Sequence, residues 1–330
     1  MRTQLPDLIR CRTVPASQCG VALVTALLIV SLVTVVAVAM ATHQQIDIRR
    51  TGNLVHGEQA YDYALAAESW GRVILRRDAA ESEYDHLEED WATALPPIAV
   101  EGGLVSGEIV DLQGRFNVNN LVASDGKVSE ANIEYFKRLL ELLQLEPDLV
   151  DALIDWIDAD IEVRFPDGAE DEYYLLQEPP YRAANRPLVS ISELRLVKGF
   201  DREAMQLLQP HVTALPEPTL INVNTATPTV LQALHEELTA DDIELLIVDR
   251  GEDGYATKND FLGHNALAGL EITAGIDVSS DYFSILTDVL VGQSQAHLES
   301  LLARDEKITR IIHRVRTPRR LPQVEKLSGL

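Results

Sequence analysis

An uninterrupted apolar run near the amino terminus constrains this chain more than any other feature. Residues 21–41 carry no charged side chain, and only Thr and Ser interrupt the apolar residues. As a helix rising about 1.5 Å per residue, the run would be roughly 30 Å long, which matches the hydrocarbon thickness of a bilayer. The hydroxyl groups can bond back to the helix backbone. The run therefore predicts a transmembrane helix.

The flanking residues indicate what kind of membrane segment this is. A secretory signal peptide has a shorter apolar core followed by a cleavage site with small residues, which this run does not match. Gly20 stands immediately before the run, behind a polar leader of residues 1–20 that carries three arginines. Cleavage after Gly20 would discard the leader and keep the apolar helix. The arginines would place the amino terminus on the cytoplasmic side and the rest of the chain outside.

This arrangement resembles the leader of type IV pilin-like proteins, which a membrane peptidase cuts at a Gly before a long helix. The resemblance implies cleavage between Gly20 and Val21 by a prepilin peptidase, with a methylated N-terminus as in that class. Most members carry Glu at the fifth processed position, where this chain has Thr25. A carboxylate in an apolar helix bundle is costly unless it is paired. In this class the Glu is expected to pair with the N-terminal amine of the adjoining subunit, and Thr25 cannot form that ion pair. We therefore expect the subunit at the end of a fibre; a plain N-terminal anchor is the alternative.

Composition indicates an acidic, exported and mostly folded chain. Its 330 residues leave room for two domains and a substantial core. The formal net charge of −24 repels phosphate backbones, so we expect no nucleic-acid partner. Both cysteines, Cys11 and Cys19, lie in the leader, and the processed chain would have no disulfide.

Beyond the apolar run, the pattern predicts an α+β fold in which helices interrupt strands. Residues from 43 to the Pro-Pro boundary at 96–97 contain no proline and begin as a continuation of the first helix. The stretch LVSGEIVDLQGRFNVNNL alternates like a strand, and several segments with apolar residues at helical spacing follow it. Near the end of the chain the pattern returns to strands. The asparagines expected to cap helices or bond turn backbone are Asn117, Asn119, Asn120, Asn222 and Asn224.

Four stretches of this chain narrow the resemblance to the K-type minor pseudopilins of type II secretion systems, the GspK family. They are DLQGRFNVNNL, the DWIDAD region, PPYRAANRPLVSISELRLVKGF and INVNTATPTVLQAL. The resemblance implies a pseudopilin head with a small antiparallel sheet and a large inserted all-α domain. The implied domains are a leader at 1–20, a transmembrane helix at 21–42, a helix continuation and first part of the head at 43–125, a helical insertion with helix-hairpin-helix-like segments at 126–274, the last head strands at 275–318 and a flexible tail at 319–330.

The same resemblance implies a structural role and not an enzymatic one. Members of the family assemble with I- and J-type minor pseudopilins and cap or initiate a periplasmic pseudopilus that supports export of folded proteins across the outer membrane. The chain would be a single-pass inner-membrane protein with its head in the periplasm. Tyr61, Leu65 and Trp70, on the helix continuation, are the residues expected to contact partner helices.

The densest polar cluster, between residues 151 and 174, suggests a metal site. Negative charges crowd the C-terminal end of a helix there, so they repel one another and interact unfavourably with the helix dipole. A hard cation would relieve both unfavourable interactions. Calcium takes about six to eight oxygen ligands on a flexible loop. The family resemblance favours calcium, although the spacing is not that of an EF-hand and a solvated acidic loop is the alternative. The candidate ligands are Asp158, Asp160, Asp167, Glu170 and Asp171, with Gly168 allowing the turn.

Two other classes of function stay open on the sequence alone. Two segments resemble helix-hairpin-helix modules, as in a type IV pilus or DNA-uptake minor pilin that binds DNA. The first is ISELRLVKGFDREAMQLL and the second is INVNTATPTVLQALHEELTADDIELLIVDRGEDG. Both lack the Gly-x-Gly hairpin, and the second is acidic where phosphate would bind. A membrane-anchored periplasmic hydrolase is the more remote alternative, because no G-x-S-x-G, HExxH or P-loop motif occurs and aromatic residues make up only 5% of the chain.

Overall fold

A single long helix forms the first element of the computed structural model, which describes residues 19–305 and 308–317. Helix α1 spans Cys19–Glu81, a length of 63 residues. Within the described residues it is the one helix that is long and apolar enough to cross a membrane, judged by length and composition. The contacts divide the chain into two units at Glu58 and Gln59, and the globular part lies in the second unit.

The hydroxyl side chains of the apolar run bond within the helix, as the sequence predicted. Thr25 Oγ1 donates to the carbonyl oxygens of Val21 and Ala22, at 3.0 Å each. Ser31 and Thr34 also donate to carbonyls one turn back. These bonds allow polar side chains to sit in an apolar helix without an unpaired donor.

The second unit is built from short helices and strands whose bounds follow. The strands are Leu95–Val100 (β1), Gly103–Asp111 (β2), Phe116–Asn117 (β3), Val212–Thr213 (β4), Ile221–Asn222 (β5), Ile276–Asp277 (β6), Tyr282–Val291 (β7), Ser294–Arg304 (β8) and Thr309–Thr317 (β9). The helices after α1 are Glu130–Leu142 (α2), Leu149–Ile157 (α3), Asp171–Tyr174 (α4), Arg202–Leu208 (α5), Pro228–Gln232 (α6), Ala240–Arg250 (α7) and Lys258–Leu262 (α8).

Five of the strands form one antiparallel sheet in the order β1-β2-β7-β8-β9. Strands β2 and β7 are neighbours, with an unbroken register from Gly103 opposite Val291 to Asp111 opposite Phe283. All the described α-helices after α1 lie between these two strands in the sequence. The sheet is therefore interrupted in sequence but continuous in space, and the predicted α+β fold with a long first helix and a small antiparallel sheet is confirmed.

The helical region between β2 and β7 has its own hydrophobic core. Buried residues from Phe116 to Val278 form one cluster, with α3 at its centre, since all nine residues of α3 are buried. Two short parallel strand pairs, β3 with β4 and β5 with β6, lie in or beside this region. The prediction of an all-α insertion did not include these pairs, because two-residue strands leave no alternation to detect.

Local signals in the sequence account for the ends of several helices. Thr227 caps α6 through its hydroxyl, with Pro228 at the first helical position. Thr239 and Asp242 form a reciprocal capping box at the start of α7. Helix α7 ends at Gly251, whose φ of 51° lies in the left-handed region that favours glycine.

Small residues let the last part of α1 lie close against the sheet. A Cβ added at Gly71 would lie 2.7 Å from Ile285 Cδ1, so the end of the Ile285 side chain would have to move. Ala60 and Ala64 are fully buried against the strands. The glycine therefore weakens the helix locally but permits a close helix-sheet contact.

The two edges of the sheet differ. Strand β1 carries Pro96 and Pro97, and its register with β2 is irregular between Leu95 and Ile98. Proline has no N–H to donate, so this edge is a poor template for pairing with another strand. Strand β9, at the opposite edge, has no proline and is rich in arginine.

A buried carboxylate joins α1 to the other edge of the sheet. Glu68, 1% exposed, accepts hydrogen bonds from Arg314 Nε at 2.6 Å and Nη2 at 2.9 Å, and from Ser300 Oγ at 2.6 Å. Burial by itself would raise the pKa of Glu68, but the bonds from Arg314 and Ser300 hold it below its ordinary value. The carboxylate is therefore charged and fully paired at neutral pH.

Glu68→Gln should destabilise the globular unit by on the order of 2 kcal/mol, because it removes the charged acceptor of two hydrogen bonds from Arg314. Thermal or denaturant unfolding of the full chain in detergent measures the loss. Glu81→Gln is the matched control, since Glu81 lies on the same helix in an exposed pair with Arg77. The control should cost less than about 0.5 kcal/mol. Equal losses for the two variants would contradict the role given to Glu68.

Candidate metal site

Two buried aspartates of α3 fold the following loop back onto the helix. Asp151 Oδ1 accepts a hydrogen bond from Arg164 Nε at 3.0 Å. Asp155 Oδ2 accepts a bond from the Arg164 backbone N–H at 3.1 Å. Burial is the main cause that raises the pKa of Asp155. Arg164 therefore fixes the start of the loop through both its side chain and its backbone.

Gly168 is required by a close approach in this loop. A Cβ at this position would lie 2.2 Å from Asp155 Oδ2 and 2.4 Å from the carbonyl oxygen of Arg164. The sequence predicted a turn at this glycine, and the structure adds that no side chain fits between the loop and α3.

Three of the five predicted ligands come together. Carboxylate oxygens of Asp158, Asp160 and Glu170 lie within 4.8 Å of one another. Glu170 is 3% exposed, and neither of its carboxylate oxygens has a hydrogen-bond partner among the described residues. Asp158 Oδ1 is also buried and unpaired within that part of the chain. Buried oxygens of this kind are rare unless an ion or water satisfies them.

Electrostatics at this cluster favour uptake of positive charge. Burial raises the pKa of Glu170 to about 7, with a further contribution from the nearby Asp155 and Asp158. Burial also raises the pKa of Asp158 to about 6, and Asp160 adds to this shift. A proton or a cation would relieve the repulsion, and hard cations such as Ca²⁺ prefer carboxylate and carbonyl oxygens. The residues present therefore fit a hard divalent cation.

The other two predicted ligands lie outside the cluster and hold the loop in place. Asp167 Oδ1 lies 2.8 Å from Lys198 Nζ. Asp171 Oδ1 accepts a hydrogen bond from the Ala183 N–H at 3.1 Å, and its other oxygen lies 3.3 Å from Arg182 Nη1. Both carboxylates are thus neutralised or paired by the protein itself.

Asn185 is a candidate ligand that sequence reasoning missed. Its Oδ1 is buried and has no partner in the described part of the chain, while its Nδ2 donates to the Asp160 carbonyl oxygen at 2.7 Å. The backbone of Asn185 has a φ of 45°, a left-handed conformation that asparagine tolerates better than most residues. No spacing in the sequence relates Asn185 to the acids, so only its tolerance for this conformation could have drawn attention to it.

A second acidic group is already neutralised by the protein. Oxygens of Asp78, Asp85 and Glu89 also lie within 4.8 Å of one another. Arg304 Nη1 lies 2.7 Å from Asp78, and Arg304 Nη2 lies 2.5 Å from Asp85. Glu89 accepts a bond from Trp91 Nε1 at 2.7 Å. The guanidinium takes the place that a cation would occupy, so this group is not a metal candidate.

The residues predicted to contact partner helices differ in accessibility. Tyr61 and Leu65 pack against the chain's own sheet, and the Arg316 guanidinium lies 4.7 Å from the Tyr61 ring centroid. Trp70 is 49% exposed and lines a groove of about 360 Å³ together with Trp91. Trp70 is therefore the predicted contact that another protein can reach most readily.

The predicted processing site lies at the start of α1. Gly20 and Val21 are helical, and Val21 is exposed in the structure. Thr25, the residue at the fifth processed position, directs its hydroxyl to its own helix. The leader itself falls outside the described residues, except for its last two positions.

Comparison with known proteins identifies relatives over most of the chain. Family models described as type II secretion system protein K match residues 114–217 and 221–282. The type II secretion system protein K of Pseudomonas aeruginosa is 39% identical over 299 residues, which cover 87% of this chain and 89% of that protein. The protein of the same name from Klebsiella pneumoniae is 35% identical over 314 residues, which cover 90% of this chain and 96% of that protein.

A solved structure agrees with this result. The crystal structure of the GspK–GspI–GspJ complex from the type 2 secretion system of enterotoxigenic Escherichia coli contains a chain that superposes with a TM-score of 0.74. The two chains are 27% identical, and the match covers 81% of this chain and 99% of that one. The similarity therefore extends to the sheet and its helical interruption together.

In the absence of divalent metal, stability should fall as the pH rises from about 5 to 7.5. The pKa values of Glu170 and Asp158 are raised on folding, so the folded chain binds more protons than the unfolded chain in this range. Glu170→Gln should flatten the slope of melting temperature against pH in EDTA, without abolishing it, because burial also raises the pKa of Asp111. Asp167→Asn should leave the slope unchanged. A slope that Glu170→Gln does not alter would show that Glu170 titrates normally.

Proposed function

This chain belongs to the type II secretion system protein K family, and we propose that it caps or initiates the tip of a periplasmic pseudopilus. Members of the family are structural pseudopilin components of secretion machinery. The observation that carries the proposal is the match over nearly the whole chain, including the sheet that a helical region interrupts. We propose further that the chain has no catalytic activity of its own.

Thr25 supports a place at the end of the fibre. In most type IV pilin-like proteins, an acid at the fifth processed position pairs with the amine of the adjoining subunit. The Thr25 hydroxyl bonds the carbonyls of Val21 and Ala22 in its own helix and carries no charge for that pair. A subunit without the acid gains less from entering the middle of a fibre than one that carries it. The bulk of the helical region would also hinder a further subunit from docking above it.

The proposed partners are I- and J-type minor pseudopilins. The similar GspK chain was crystallised in a complex with GspI and GspJ. In this chain, Trp70 offers a half-exposed aromatic ring on α1, and large aromatic side chains often dominate interface energies. We place the partner contact at Trp70 and the groove beside it, while Tyr61 and Leu65 position α1 against the sheet.

The proposed location follows from the first helix. Its apolar part is long enough to span the inner membrane once, and the arginines of the leader favour a cytoplasmic amino terminus. The head would then lie in the periplasm. Processing by a prepilin peptidase after Gly20 would make Val21 the first residue, with the methylated N-terminus of its class.

We propose calcium as the ion of the acidic cluster. Asp158, Asp160 and Glu170 supply carboxylate oxygens, and Asn185 supplies an amide oxygen. Calcium accepts a larger and more irregular set of oxygen ligands than magnesium, which demands near-octahedral geometry. The ion would neutralise the buried acids and fix the loop after α3. Its role would be structural.

Copurification from cells that contain the prepilin peptidase and the I- and J-type subunits tests the assignment. We expect the chain to be recovered with both partners and to begin at Val21 on N-terminal sequencing. Trp70→Ser should lower recovery of the partners about fivefold or more, since it removes a large aromatic contact. Val248→Ser, which changes an exposed apolar residue of α7, is the matched control. A chain that begins elsewhere, or that never recovers either partner, would refute the proposed function.

Calcium should raise the melting temperature of the full chain in detergent more than magnesium does. At calcium concentrations near 100 times the dissociation constant, the expected stabilisation is about 2.7 kcal/mol. Glu170→Gln should remove most of this effect, and Asp167→Asn should retain it, because Asp167 pairs with Lys198 outside the cluster. The effect should shrink at acidic pH, where protons compete for the ligands. Equal melting curves in calcium and in chelator would rule the site out.

A further inference from the structure

The loop that follows α3 exposes an unusual number of large apolar side chains. Ile161 is 75% exposed, Phe165 is 91% exposed and Leu176 is 83% exposed. Scattered single apolar residues are normal on a protein surface, but a concentration of them marks an interaction site. We call residues 161–176 the apolar loop. Its exposed large apolar residues are Ile161, Val163, Phe165, Tyr173, Leu175 and Leu176.

The apolar loop is held in place by contacts on its inner side. Arg164 bonds Asp151 and Asp155 of α3, while its neighbours Val163 and Phe165 are exposed. Glu170, which belongs to the loop, is buried. The outward residues are therefore presented by a fixed backbone, which lowers the entropy cost of binding a partner.

One lysine joins the two halves of the apolar loop. Lys198 Nζ bonds the carbonyl oxygen and carboxylate of Asp167, at 3.1 Å and 2.8 Å. The same ammonium group lies 5.6 Å from the centroid of the Tyr173 ring on α4. The turn after Phe165 and the helix before Leu175 are thus held beside each other.

The charges around the apolar loop define the chemistry of its partner. Glu162, Glu172 and Glu178 are exposed, and no ion pair involves them within residues 19–305 and 308–317. These carboxylates are separate from the three that form the metal cluster, so a bound cation would leave them charged. A partner that combines apolar side chains with Lys or Arg would satisfy both features of this surface.

We propose that the apolar loop docks a basic, apolar segment of another protein. A protein segment is favoured over a lipid surface because the exposed glutamates and the net charge of −24 repel anionic headgroups. The docking surface lies on the helical region, whereas Trp70 lies on α1. It is therefore an additional contact and does not depend on the proposed place of Trp70 in the fibre.

A photo-crosslinking residue at position 165 tests the proposal in cells that carry the secretion system. The full-length chain would carry p-benzoylphenylalanine in place of Phe165 and, in a matched experiment, in place of the exposed Val248. We expect a protein adduct at position 165, at about fivefold or higher yield than at position 248. Mass spectrometry should place the crosslink in a segment with aliphatic or aromatic residues beside Lys or Arg.

Charge reversal provides the second arm of this experiment. Glu162→Lys combined with Glu172→Lys should lower the adduct yield at position 165 about fivefold or more. Glu236→Lys combined with Glu237→Lys reverses two exposed acids elsewhere in the helical region and should leave the yield unchanged. Adducts with lipid only, an acidic partner segment, equal yields at 165 and 248, or no adduct would each overturn the proposal. Unaltered melting temperatures show that the variants fold, and copurification of the I- and J-type subunits reports separately on the proposed function.

Discussion

One buried carboxylate holds together the points where the chain leaves the sheet and where it returns. Asp111, at the end of β2, accepts hydrogen bonds from the Gln113 N–H at 2.7 Å, Ser280 Oγ at 2.7 Å, Thr225 Oγ1 at 2.5 Å and Asn222 Nδ2 at 3.1 Å. Burial raises the pKa of Asp111 to about 6, although the hydrogen bonds from Thr225, Ser280 and Gln113 oppose the shift. The helical region can interrupt the sheet without disturbing it because this one group ties its first and last residues to each other.

The same network reaches the segment that follows α1 through a buried ion pair. Asn222 Nδ2 also lies 3.2 Å from the Asp85 carbonyl oxygen, and the Ser280 N–H donates to the Asp85 carboxylate at 2.7 Å. Arg304, from β8, completes the pair with Asp85. Removing one partner from such a network would leave a buried charge without compensation, so these residues act as a unit. Helix, sheet and helical region therefore share one polar junction.

Sequence patterns could predict the elements of this fold but not the junction. The apolar run, the alternation of β2 and the cap at Thr227 are local signals, and each led to the right element. The asparagines were expected to bond turns, and Asn222 Oδ1 does accept from the Asn224 N–H at 2.9 Å. Their amide N–H groups, however, reach distant carbonyls: Asn119 Nδ2 donates to the Leu188 and Leu215 oxygens, 69 and 96 residues away. Contacts at such separations leave no periodicity in the sequence.

The metal site illustrates the same limit. The density of acids pointed to the segment in which Asp158, Asp160 and Glu170 come together, but it could not tell which carboxylates the protein would pair with its own cations. Lys198 is 31 residues from Asp167 in the sequence, and its ammonium group pairs with that carboxylate, which is therefore no longer a candidate metal ligand. Burial makes Glu170 a stronger candidate ligand, because it removes water and leaves both carboxylate oxygens without a partner in the described residues.

The crowding of unpaired carboxylates is therefore created by the fold and not by composition. Arg164 pairs with Asp151 and leaves Asp158, Asp160 and Glu170 to repel one another. The protein could lower the repulsion between these carboxylates by taking up protons, since the pKa values of Asp158 and Glu170 are raised. Protons, however, would not link the carboxylates to one another through a shared ion. A divalent cation would neutralise the acids and also join α3, the loop and Asn185 at one point. The same contacts that make the carboxylates costly would then make the outer face of the apolar loop rigid enough to bind a partner.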